Sequence, residues 1–295
     1  MSLFDFLVIY LMCPENMLLT NYHTHTCYSD GKSHPEEYII SAIEQKLYAL
    51  GFSCHAPVPF KTNWTMKFEH LYSYLNELNN LKKKYDEKLK IFVGLEIDYV
   101  KGLCGYHQYK NIGLDYSIGG VHFLGFLNDG SSWDFDREKD WFIKGLDEIF
   151  NGDIKKLISF YYEQIQNMIE TEKTAILAHL DLIKKFNSGN LFFNESSSWY
   201  RDIVFGLLDH VAISGTIIEL NTRGVLKQLN SEFYPSGFIL KRCLELKIPV
   251  CLSSDAHQPK DVLALLHEAG NLLKSIGYKE VFILEQNGWN PVPIE

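Results

Sequence analysis

Seven short apolar runs, at 18–22, 49–54, 91–97, 116–121, 175–178, 216–220 and 249–253, alternate along the chain with stretches whose apolar residues recur at helical spacing. Short continuous apolar runs read as strands buried on both faces. A helix between successive strands makes them parallel, since an antiparallel pair needs only a tight turn. Seven such units predict an α/β fold whose sheet is closed or nearly closed on itself. The first helix has the plainest signals: Ser33 and Glu36 form an S-x-x-E capping pattern, Pro35 occupies the first turn, and Ile39, Ala42, Ile43 and Leu47 line one face, with an end before Gly51. Further helices are expected at 68–85, 137–150, 155–170, 200–211, 236–246 and 261–275, with a last strand-like piece at 280–284.

No low-complexity linker or shift in composition divides the 295 residues, of which 46% are hydrophobic and 22% charged. Residues 17–295 therefore read as a single domain able to bury its own core. The stretch "SLFDFLVIYLMC" contains Asp5, has no basic segment before it and is followed by Pro14 and Glu15. It reads as neither a membrane anchor nor a secretory signal, and residues 1–16 are taken as an extension ahead of the domain. Six cysteines without a C-x-x-C pair fit a reducing cytoplasm. The net charge is −9 and no basic run exceeds Lys82 to Lys84, which argues against a nucleic-acid groove. A small phosphate-bearing substrate would need local positive charge.

The strand ends carry the chemistry. The first runs into His23 and His25, with Asp30 close behind; the second into Cys54 and His55; the third into Glu96; the fourth into His122; the fifth into His179; the seventh into Asp255 and His257. One histidine at a strand end is ordinary, but parallel strands would bring all of these to one mouth. Imidazole nitrogens and carboxylates suit zinc, iron and manganese. Nine candidate ligands exceed what one ion uses, so two or three ions sharing Glu96 or Asp255 are expected. In His23-x-His25 and Asp255-x-His257 the two side chains project from one face of an extended chain, roughly 7 Å apart. Cys27 and Cys54 sit beside these ligands and could be drawn in, but read as small buried residues. His34, His70, His107, His210 and His267 fall on predicted helices, turns or loops and are taken as bystanders.

Together "YHTHTCYSDG", "SCHAP", "GLEID", "GGVHF", "LAHLDLI" and "SSDAH" resemble, in order and from residue 20 onward, the PHP (polymerase and histidinol phosphatase) superfamily. The resemblance implies a distorted (β/α)7 TIM-like barrel. It also implies a trinuclear metal centre at His23, His25, Asp30, His55, Glu96, His122, His179, Asp255 and His257, with His23, His25, Glu96, Asp255 and His257 at the heart of catalysis. The implied activity is hydrolysis of L-histidinol phosphate to L-histidinol and inorganic phosphate. Related superfamily activities on nucleoside bisphosphates or phosphotyrosine are the nearest alternative, and a non-catalytic metal-binding barrel is a more distant one.

The superfamily places cations on the loops after the fifth and sixth strands to hold phosphate. Here that implies Arg223, Lys184 and Arg201, while Lys185 and Lys227 read as solvated helix faces. Glu219 and Asp181, near strand ends, are each open to two roles: receiving a substrate ammonium group or holding a ligand imidazole by its free N–H.

Overall fold

The computed structural model describes residues 18–294. The extension expected at 1–16 lies outside the described residues. Strand β1 (Thr20–Asn21), β2 (Ala49–Phe52) and β3 (Lys90–Val93) form one sheet in that order. Strands β4 (Glu96–Asp98), β5 (Ile118–Gly120), β8 (Ile176–Leu177), β9 (Ile217–Asn221) and β10 (Val250–Ser253) form a second, ordered β10-β9-β8-β5-β4. Every pairing in both sheets is parallel.

The single strand expected at 91–97 is divided between the sheets at Gly94 and Leu95, where the backbone passes close against the buried ring of Tyr116. A Cβ at Gly94 would stand 2.7 Å from that ring. Hydrogen bonds nonetheless cross between the sheets at both sides. Glu96 donates to the carbonyl of Ser53 (3.2 Å) and Ala56 to that of Glu96 (2.7 Å); His25 donates to the carbonyl of Ala256 (2.8 Å) and Ala256 to that of His23 (3.0 Å).

The helices are α1 (Pro35–Glu44), α2 (Phe68–Lys84), α3 (Lys139–Phe150), α4 (Ile154–Glu172), α5 (Ser198–Ser214), the one-turn α6 (Arg223–Leu226), α7 (Gly237–Glu245) and α8 (Leu266–Ile276). The capping pair of α1 sits one residue later than expected: the N–H of His34 donates to Glu37 (3.0 Å), while Glu36 turns outward to Lys84 and Tyr85. Helix α4 shows how the helices are held. Leu157, Ile158, Tyr161, Ile165, Met168 and Ile169 recur at helical spacing and are buried, each contributing roughly 1.5–3 kcal/mol of apolar burial. Helix α5 ends on Gly215 at φ 78, a left-handed stop that glycine adopts without strain.

Two antiparallel hairpins lie outside the repeat. The first, β6 (Phe123–Phe126) with β7 (Ser132–Asp134), follows β5. The second, β11 (Glu280–Glu285) with β12 (Gly288–Pro293), extends the strand-like piece expected at 280–284 and packs Trp289 on Tyr22 with ring centroids 5.0 Å apart. Tyr22, Phe92, Tyr116, Ile118, Ile176 and Ile217 form the apolar cluster under this hairpin. Among the described residues no helix is long and apolar enough to cross a membrane.

Candidate metal centre

The carboxyl ends of the strands converge on a cavity of about 200 Å³. Five trios of potential ligands gather there, each with its nitrogen or oxygen atoms within 4.8 Å of one another: His23, His179 and Asp255; His23, His25 and Glu96; His25, Asp255 and His257; His25, Asp30 and His55; and His55, Glu96 and His122. These trios bring together all nine residues singled out at the strand ends. All are buried except Asp30, which is partly exposed.

Two of them are turned into the cavity by unusual backbone: His179 has φ 22 and Asp255 φ 51. Left-handed conformation costs a non-glycine residue roughly 1–3 kcal/mol and persists where surrounding structure imposes it. The neighbouring amides are tied accordingly. The N–H of His179 donates to Glu219 (2.9 Å), and the Asn221 side chain donates to Glu219 (3.0 Å) and Asp255 (3.2 Å).

The contacts inside the cluster test whether these residues suit a cation. Nε2 of His23 and Nδ1 of His55 each lie 3.0 Å from Oε2 of Glu96, and Nε2 of His25 lies 3.4 Å from Oδ1 of Asp255. Yet His23 Nε2, both ring nitrogens of His25, His55 Nδ1, Glu96 Oε2 and Asp255 Oδ1 are buried without a hydrogen bond. Buried polar atoms are nearly always partnered. A knot of orphaned electron-pair donors aimed at one another is the arrangement that a shared cation satisfies, and its composition suits zinc, manganese or iron.

A further set of carboxylates fixes the imidazoles. Nδ1 of His23 lies 2.7 Å from Glu219, leaving Nε2 toward Glu96. Nδ1 of His122 lies 2.6 Å from Asp98, leaving Nε2 toward Glu96 at 3.7 Å. Such outer carboxylates select the tautomer and raise ligand basicity. Of the two roles open to Glu219, the structure gives it that of imidazole partner. Asp98 was not anticipated, although a signal existed: Glu96-x-Asp98 repeats the two-residue spacing of His23-x-His25.

The electrostatics are those of an anionic pocket. Burial opposes protonation of His23, but Glu219, Glu96 and Asp255 outweigh it and hold its pKa well above the ordinary value. Burial likewise opposes protonation of His55 and His122, yet Glu96 and Asp98 push the first up to about 10, and Asp98 with Glu96 the second up to about 9. Burial and the neighbouring His257 bring His25 down to about 3. Glu96, Asp98 and Asp255 stay ionised despite burial because the histidines face them. Without a metal, protons on imidazole supply the positive charge that these carboxylates demand.

The cationic candidates divide. Arg223 lines the cavity, donating from Nη1 to the carbonyl of Asp255 (2.9 Å) with Nε 4.0 Å from its carboxylate. Lys184 does not reach the cavity: it is fully buried, 2.9 Å from Asp181, and donates to Ser236 and to the carbonyl of Phe233 (3.1 Å). Asp181 accepts from Lys184 and Ser236, so it meets neither role left open for it. Arg201 is also elsewhere, exposed on α5 with its guanidinium 5.2 Å over the Phe238 ring.

Two cations line the cavity in their place. Lys185, expected on a solvated face, points in beside Asp136, and Arg137 comes from the segment after the β6–β7 hairpin. Lys227 is exposed, 3.9 Å from Asp261. The bystander histidines stay apart from the cavity lining, and so do the two cysteines, of which Cys54 is buried as expected while Cys27 is exposed.

The model of the PHP domain matches residues 21–223, and the chain belongs to that family. A Deinococcus radiodurans protein named as a probable histidinol-phosphatase is 31% identical over 88% of this chain and 93% of its own. The histidinol-phosphatase of Bacillus subtilis is 29% identical over 81% of this chain and 93% of its own. The crystal structure of histidinol phosphate phosphatase from Lactococcus lactis, complexed with zinc, L-histidinol and phosphate, superposes with a TM-score of 0.69 at 20% identity, covering 93% of this chain and all of that one.

Proposed function

We propose that this protein is a metal-dependent phosphomonoesterase that hydrolyses L-histidinol phosphate to L-histidinol and inorganic phosphate. The observation that carries the reading is the knot of unpartnered buried donors around Glu96, in a chain whose histidinol-phosphatase relatives match along most of its length. The hydrogen bonds crossing between the two parallel sheets support a distorted (β/α)7 barrel, and the unbroken run of elements supports one PHP domain from residue 17 onward. A biosynthetic activity on a small ester and the spread of unpaired cysteines suit the cytoplasm.

Two or three divalent ions held by His23, His25, Asp30, His55, Glu96, His122, His179, Asp255 and His257 would supply Lewis acidity, lowering the pKa of water and neutralising phosphoryl charge. The chain's own part is positional. Glu219 and Asp98 hold His23 and His122 with one nitrogen turned inward. Asn221 steadies Asp255. Arg223, anchored on the Asp255 carbonyl, presents its remaining donors to a phosphoryl group, where a planar guanidinium offers two at once. Trp64 packs edge-on to His55 at 4.5 Å and stacks on Phe123, forming that side of the cavity wall.

The test is phosphate release from L-histidinol phosphate by metal-loaded protein, set against nucleoside bisphosphates and phosphotyrosine. Preference for L-histidinol phosphate supports the reading, and preference for another ester overturns the substrate assignment.

A further inference from the structure

A phosphate ester of an amino alcohol brings an ammonium group as well as a phosphate, and an ammonium entering a cavity needs an anionic partner. Five carboxylates line the cavity: Asp30, Glu96, Asp134, Asp136 and Asp255. Asp30, Glu96 and Asp255 belong to the ligand cluster. Asp134 is saturated: Trp64 (3.0 Å) and Trp141 (2.9 Å) donate to it through their indole N–H groups, and Arg137 reaches both its oxygens (3.1 and 2.9 Å). Outside the lining, Glu219 and Asp181, the residues first considered for this role, are occupied by His23 and by Lys184.

Asp136 remains. Its Oδ2 lies 3.0 Å from Nζ of Lys185, which also donates to the Asp136 carbonyl, and its Oδ1 accepts no hydrogen bond among the described residues. Burial works against its charge, but Lys185 and His122 keep its carboxyl below the usual range.

Resting on the function proposed above, we infer that Asp136 is the specificity residue of the cavity: its free carboxylate oxygen receives the substrate's ammonium group, and Lys185 holds the side chain in place to do so. The pair presents neighbouring charges of both signs, complementary to an ester whose amine sits on the carbon next to the phosphorylated one. The preferred class is therefore phosphate esters of 2-amino alcohols.

The experiment compares metal-loaded wild type with Asp136→Asn, which keeps the side chain's shape, on L-histidinol phosphate and on the same ester lacking its amine. Wild type is expected to favour the amine-bearing ester. The variant should lose roughly ten- to a hundredfold in kcat/KM on L-histidinol phosphate, as for a hydrogen bond to a charged group, and change less than about threefold on the amine-free ester. Calorimetric titration with L-histidinol reads the same contact without turnover and should show a comparable loss of affinity. Equal losses on both esters, or none on either, would overturn the assignment, as would unchanged L-histidinol binding. A wild type inert toward every phosphate ester would instead overturn the function on which the inference rests, with the titration still deciding whether Asp136 holds the amine.

Discussion

Replacing Asp98 by asparagine changes one oxygen for nitrogen at the back of the centre. In the native arrangement the ionised carboxylate accepts from Nδ1 of His122 at 2.6 Å, in a site from which water is excluded. A hydrogen bond to a charged partner contributes about 1.5–3 kcal/mol, and a neutral amide acceptor retains about half of that. The amide also places an N–H₂ group where one carboxylate oxygen stood, 3.3 Å from Nδ1 of His55. Losing half of the hydrogen bond costs about 0.75–1.5 kcal/mol, and with the misplaced donor the expected loss of metal-binding free energy is about 1.4–2.7 kcal/mol, roughly ten- to a hundredfold in affinity. Competition against a zinc chelator of known affinity measures it directly, and circular dichroism of the metal-free variant checks that the fold persists. Zinc bound as tightly by Asp98→Asn as by wild type would refute the reasoning, because His122 would then need no carboxylate behind it.

Other changes have distinct signatures. Glu219→Gln should likewise weaken zinc binding, roughly ten- to a hundredfold, in the same competition assay, since Glu219 supports both the His23 ring and the His179 backbone. Asp255→Ala should lower phosphate release by orders of magnitude with the protein still folded by circular dichroism; near-native rates would remove Asp255 from the centre. Lys184→Met should cost about 3 to 5 kcal/mol in urea unfolding, since it strands the buried Asp181, yet leave KM for the phosphate ester nearly unchanged. In metal-free protein, His55 and His122 have pKa values raised to about 10 and about 9. Groups raised by folding contribute stability fully below their unfolded value near 6.5 and lose it as pH climbs through the folded one. The metal-free thermal midpoint should therefore fall between about pH 7 and 10, and zinc should abolish much of that slope.

The strand ends were legible because the signal there is periodic and cumulative. His23-x-His25 follows the spacing expected at a strand end, Asp255-x-His257 reaches the same cavity through a left-handed Asp255 (φ 51) instead of the extended backbone its spacing suggests, and parallel strands gather their ends whatever the helices between them do. Asp98 obeys the same spacing but passes for an ordinary strand residue until His122 is seen beside it. The cations were harder, because adjacent residues such as Lys184 and Lys185 differ only in which way a single 3-10 turn (Leu182–Lys184) rotates them. One is buried against Asp181 and the other enters the cavity. Pattern also failed at Gly94, where the backbone passes close against Tyr116 and an apolar run that reads as one strand is divided. The β6–β7 hairpin was missed because its strands are short and one is bulged, so no alternation extends far enough to register. That hairpin and the segment after it supply Asp134, Asp136 and Arg137 to the cavity wall.

The most direct test of the central claim is to strip the purified protein with a chelator, assay phosphate release from L-histidinol phosphate, and restore divalent metal while counting bound ions. The account predicts that hydrolysis vanishes on stripping and returns as two or three ions per chain rebind. Full-rate hydrolysis by protein verified as metal-free would contradict it.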